Sequence, residues 1–76
     1  MNQNLQTFKE KISKELLSKT ETYWLDQIEF EITNNDLNIL VNSEFVKTSI
    51  EKKIYDKILS VSNSISGINN CIFQFY

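Results

Sequence analysis

The sequence predicts an α+β domain in the order ααββαβ, its helices covering one face of a three-stranded sheet. Two observations carry this. The spacing of apolar residues switches from a helical period to alternation, back to a helical period and then to a final strand-like segment. Punctuation between these segments is sparse but well placed: an Asn34-Asn35-Asp36 cluster, and a loop around Gly67, the single glycine of a chain without proline. No linker, repeat or low-complexity stretch interrupts the pattern, so residues 1–76 are expected to form one domain.

Leu5, Phe8, Ile12 and Leu16 recur at three- and four-residue steps, with Lys9, Glu10, Lys11, Lys14 and Glu15 between them. This predicts an amphipathic helix over about 4–18. Ser18 followed by Glu21 has the form of a capping box opening a second helix over about 19–27, which carries Tyr23, Trp24 and Leu25. Trp24, at the end of a short helix, is expected to bury against the sheet. Ile28, Phe30 and Ile32 then alternate with Glu29, Glu31 and Thr33, and Leu37, Ile39 and Val41 with Asn38 and Leu40. Strands over about 28–33 and 37–42 joined as a hairpin follow, since Asn and Asp tolerate the positive φ of tight turns. Asn42 or Ser43 can cap a third helix over about 44–63, with a stripe of Val46, Ile50, Ile54, Ile58 and Val61. Residues 62–70 read as a loop. Cys71-Ile72-Phe73-Gln74-Phe75-Tyr76 has the aromatic and β-branched bias of a last strand over 71–76.

Composition excludes more than it suggests. With 76 residues the chain buries only about 60% of its unfolded surface, near the lower limit for a self-standing core. Cys71 is the only cysteine and there is no His, so neither a disulfide nor a zinc site is expected to reinforce it. The lone thiol suits a reducing compartment and reads as a small core residue. Without His the usual nucleophile–base arrangements fail, and one glycine cannot build a phosphate loop. Glu29 and Glu31 share a strand face, but edge strands carry such charges against aggregation. No catalytic residue, cofactor or metal is therefore expected, and the chain reads as a non-enzyme. All eight basic residues are Lys and the net charge is −2, a balance that disfavours tight nucleic-acid binding. Met1-Asn2-Gln3-Asn4 leads straight into the first helix and the apolar runs are short, so no signal peptide, no membrane span and a cytoplasmic location are expected.

Several short phrases fall in a familiar order. Leu16-Leu17 through Thr20-Glu21 leads to Trp24-Leu25; the hairpin ends in Leu37-Asn38-Ile39-Leu40-Val41-Asn42-Ser43-Glu44-Phe45-Val46; Ile54-Tyr55 and Ile72-Phe73-Gln74-Phe75 follow. Nearly the whole chain thus resembles the N-terminal domain (domain I) of the bacterial chromosomal replication initiator DnaA. It departs in Asn42-Ser43, where the family usually has Pro-Asn, and in Thr48-Ser49, where Asp-Trp is frequent. Some members also have an N-terminal Trp on a self-association face where this chain has Leu5 or Phe8.

The resemblance implies a KH-like fold and a protein–protein interaction role: contact with the replicative helicase, docking of initiation regulators, and self-association as a homodimer. By position it implicates Leu5, Phe8, Thr20, Glu21 and Phe45 in partner binding. Glu21 also has a local role in the capping box, and Lys52, Lys53 and Lys57 read most simply as a solvated face. Two alternatives stay open. One is a KH-like single-stranded nucleic-acid binder, for which single-stranded DNA affinity is expected to be weak or absent and the GxxG clamp is missing. The other is a related interaction domain of a clamp-loader subunit.

Overall fold

The computed structural model describes residues 3–16 and 18–76. Leu17, within the first predicted helix, lies outside them. The chain is α+β: α1 (Gln3–Glu15), α2 (Lys19–Leu25), β1 (Glu29–Thr33), β2 (Asp36–Val41), α3 (Glu44–Lys53), α4 (Tyr55–Asn63) and β3 (Asn70–Phe75). The helices lie on one face of a mixed sheet of order β1-β2-β3, an order consistent with a KH-like fold.

The hairpin is tighter than the sequence suggests. Asn34 and Asn35 both take positive φ (53° and 68°), the signature of a two-residue turn whose twist matches the strands it joins. Asp36 therefore belongs to β2, opposite Thr33. β3 lies parallel to β2, with Leu37 beside Cys71 and Ile39 beside Phe73. The helices α3 and α4 form the crossover that parallel neighbours require. Because side chains alternate, Phe30, Ile32, Leu37, Ile39, Val41, Cys71 and Phe73 share the helix-covered face, while Glu29, Glu31 and Thr33 share the open one.

Three differences from the expected elements have physical causes. The long third helix is broken at Ile54, whose backbone departs to φ −134° and ψ −1°. Ile50, Ile54 and Ile58 are spaced by four, and each such step rotates about 40° away from the last on a straight helix. The break re-aims the stripe so that all three are buried. The segment after α4 is only partly loop: Ile65 and Ile68 turn inward and complete the core. Gly67 lies so close to Asn4 of α1 that any Cβ there would displace the Asn4 side chain. Finally, α1 stops three residues early, and Ser18 opens α2 with both bonds of the capping box, Glu21 N–H to Ser18 Oγ (3.1 Å) and Ser18 N–H to Glu21 Oε1 (3.3 Å).

Candidate docking surfaces

Two caps converge on one corner. Ser18 fixes the start of α2, and Ser43 fixes the start of α3 by accepting a hydrogen bond from Val46 N–H at 3.2 Å. α2 packs chiefly on α3. This brings three rings into a chain of edge-on contacts: Tyr23 to Trp24 with centroids 5.2 Å apart, and Trp24 to Phe45 at 6.0 Å. Trp24 is half-buried and leans on the core, whereas Tyr23 is 56% and Phe45 72% exposed. Exposed aromatic rings held in fixed geometry on helices are the raw material of a binding hot spot. Thr20, Asp26 and Glu44 are exposed on the two elements that carry the rings.

Glu21 belongs to a different contact. Its carboxylate meets Lys57 Nζ of α4 at 2.7 Å, and the same ammonium donates to the Glu15 carbonyl at 3.0 Å. Lys57 is thus no member of a solvated lysine face. It caps the last turn of α1 and ties it to α2 through Glu21. The Lys57 ammonium, and then the Ser18 backbone N–H, hold the Glu21 carboxyl below the ordinary carboxylate value. Lys52 and Lys53 are exposed, as a solvated face requires.

The expected partner residues therefore do not form one surface. Phe8 has no exposed area: its ring meets Phe30 edge-on at 4.8 Å in the core, so it offers a partner nothing directly. Leu5 is half-buried against the same core. Both sit on α1, which packs chiefly on α4 and β1, away from the α2–α3 pair that carries Phe45 and Thr20. Tyr23 was not singled out from the sequence. A signal existed, because adjacent residues on a helix point about 100° apart and Tyr23 and Trp24 cannot both face the core.

A second aromatic group lies along β3. Tyr55, at the restart of the helix, stacks on Phe73 at 5.4 Å, and Lys47 Nζ sits 5.6 Å from the Phe73 ring centre. Burial pushes the Tyr55 hydroxyl up from its ordinary value, with Cys71 and Glu51 adding to the effect. Burial likewise raises the Cys71 thiol, partly offset by a 3.1 Å contact with the buried Ser62 hydroxyl. Such a thiol is a packing group and a poor nucleophile.

Glu29 and Glu31 stand exposed on the open sheet face. A groove of about 260 Å³ between α1 and the start of β1 is lined by Lys9, Ile12, Ser13, Leu25, Ile28 and Phe30, among others, below the size usual for a drug-sized ligand. Among the described residues, no group of three or more His, Cys, Asp or Glu is placed to hold a metal, and no helix is long and apolar enough to cross a membrane. Comparison with protein-family models, with curated proteins and with solved structures returns no match.

Proposed function

We propose that this chain is a protein-binding module of the replication-initiator type, acting in the cytoplasm. On this reading the aromatic corner of α2 and α3 captures a replicative helicase or an initiation regulator. The observation that carries the proposal is the exposed Phe45, fixed by the Ser43 cap and backed by Trp24. A phenylalanine left in water at the first turn of a helix adds little to folding, whereas a partner that covers it gains a buried aromatic anchor. The resemblance to the initiator's N-terminal domain supplies the partner class, and Phe45 is a position that the resemblance implicates.

The single-strand alternative has one observation in its favour, the Lys47, Phe73 and Tyr55 group, since cations interleaved with rings suit unpaired bases. Against it stand the acidic balance and a joint between α3 and α4 that holds no glycine. Titration of the chain against purified replicative helicase, in parallel with a labelled oligonucleotide over a salt series, separates the two readings. Helicase binding that Phe45→Ala abolishes, with oligonucleotide affinity no tighter than about 10⁻⁴–10⁻⁶ M, is the expected outcome. Tight, steeply salt-dependent oligonucleotide binding without helicase binding would replace the proposal with the alternative.

A further inference from the structure

We infer that the open face of the sheet holds a binding groove for a guanidinium group, filled by an arginine side chain from a basic segment of a partner protein. The inference stands independently of the docking role given to the α2–α3 corner.

Charge divides the molecule between its two layers. All eight lysines lie on the helices, whereas the three strands carry Glu29, Glu31 and Asp36 and no cation. The three carboxylates share the open face, since Glu29 and Glu31 alternate with Phe30 and Ile32, and Asp36 stands opposite Thr33. A face of one sign favours a partner of the other.

Acidic residues on a strand also deter edge pairing, so charge alone assigns no site. The deciding residue is Asn38, at the centre of the same face, between Glu31 on β1 and Ile72 on β3. It is only 6% exposed. Its side-chain amide makes no hydrogen bond among the described residues. No side-chain nitrogen or oxygen among them is both sealed from water and unpartnered, so the amide opens outward. It does so in a groove of about 340 Å³ whose walls include Glu31, Thr33, Asp36, Ile72 and Gln74. A central strand position favours a β-branched or aromatic side chain, and an amide there gives up most of its hydration without a bond in return. A ligand that bonds the amide accounts for its presence.

The groove specifies the chemistry of that ligand. Ionised carboxylates only accept hydrogen bonds, and the Asn38 amide oxygen adds a further acceptor beside them. Glu31 and Asp36 are diagonal neighbours across the β1–β2 pair, about 7–8 Å apart. Asn38 completes the triangle, opposite Glu31 and two residues along β2 from Asp36. Asp36 Oδ1 accepts from Asn70 Nδ2 at 2.9 Å, which holds that corner in place. A guanidinium is planar, always charged and carries five N–H donors in a fork, so one group addresses all three corners. A lysine ammonium is a compact point charge and more strongly hydrated. Ile72, exposed beside Asn38, offers an apolar wall to the weakly hydrated guanidinium face. The chain contains no arginine, so a second copy cannot supply this ligand.

The test is an NMR titration of the chain with acetyl-Gly-Arg-Gly-amide, and with the same peptide carrying lysine or citrulline in place of arginine. Citrulline keeps the planar shape without the charge. The arginine peptide is expected to bind with a Kd of about 1 mM, shifting the Asn38 side-chain amide and the backbone amides of Glu31 and Ile72. The lysine peptide is expected to bind at least about threefold more weakly, and the citrulline peptide not measurably. Asn38→Val is expected to weaken the arginine peptide at least about tenfold with no loss of stability in urea, since it removes an amide that the fold does not bond. Glu31→Gln, exposed on the rim, is expected to weaken it about threefold with an unchanged circular dichroism spectrum. Phe45→Ala is expected to bind the peptide as wild type does. No shift at Asn38 with about 10 mM arginine peptide would overturn the inference. So would equal binding of the lysine peptide, which reduces the groove to a nonspecific acidic patch. The same shifts with magnesium chloride would give the carboxylates to a metal and overturn it too, as would an Asn38→Val variant that binds normally or loses stability.

Discussion

The two exposed aromatic groups differ in what stands behind their rings. At the α2–α3 corner the backbone is engaged within helices and by the Ser18 and Ser43 caps, so what faces water is side chain. At β3 the strand presents its backbone edge, and Phe73 is already occupied by Tyr55 and Lys47. Under the proposed function, a partner of the corner would read ring shape and position. Truncation of Phe45 is therefore expected to act on the corner while leaving the Phe73 packing in place.

Trp24 is the ring that ties the corner to the core, and its removal is expected to have the largest effect. Trp24→Ala leaves a hole between Phe45 and the core, at a cost of about 3 kcal/mol, the low end for a large aromatic because the ring is half-buried. Against a total of about 5 kcal/mol for a small domain, the variant is expected to retain only marginal stability in urea titration. A loss below about 1 kcal/mol would detach the corner from the core and make Trp24 a third contact ring.

Phe45→Ala comes next and acts on binding. An aromatic anchor at an interface centre contributes about 2 kcal/mol or more, so capture of the helicase is expected to fall at least thirtyfold or so. Its stability cost is expected to stay within about 1 kcal/mol, since little of the ring is buried. Equal losses of stability and binding would mean that the corner is core after all.

The two regions are also legible in the sequence to different degrees. The capping box of Ser18 with Glu21 can be read directly as a local pattern, whereas the third helix leaves Asn42 and Ser43 as alternatives, of which Ser43 is the cap. The hairpin was equally plain, as Asn34-Asn35 sits between two alternating runs. What local pattern cannot report is how far each of two adjacent rings on a short helix turns inward: Trp24, expected to bury against the sheet, is half-buried on the core, and Tyr23 beside it is exposed. The break at Ile54 escaped notice for a related reason. Isoleucines spaced by four read as one helix until the sheet beneath them requires a common direction. Phe8 illustrates the limit of carrying a role over by position, since its ring fills the core against Phe30. Ile65 and Ile68 lay in a segment with no period to betray their burial.

On the strand side, Tyr55→Leu keeps most of the apolar area and removes only the ring pairing with Phe73. The expected cost is about 1 kcal/mol, the value of a stacked aromatic pair beyond its burial. Thermal melting measures it. If the loss is nil, Lys47 alone holds Phe73 in place.

The smallest effect is electrostatic and concerns how the corner is fastened to the rest of the molecule. Glu21 is joined to Lys57, and Lys57 to the end of α1, so the pair connects α2 to the α1–α4 side. The folded state holds the Glu21 carboxyl below its ordinary value, first through Lys57 and then through Ser18. The folded state thus prefers the carboxylate. Its contribution is full above the ordinary carboxylate range and is lost as pH falls through the lowered folded value. Glu21→Gln retains a side chain able to close the capping box and removes only the charge. The stability gap between wild type and Glu21→Gln is therefore expected to be present at about pH 7, to close as acid protonates the Glu21 carboxylate, and to shrink with added salt. Urea midpoints for both proteins across that range decide the matter. A gap that persists unchanged in acid would trace to the cap geometry and not to the ion pair, leaving the corner fastened by Trp24 alone.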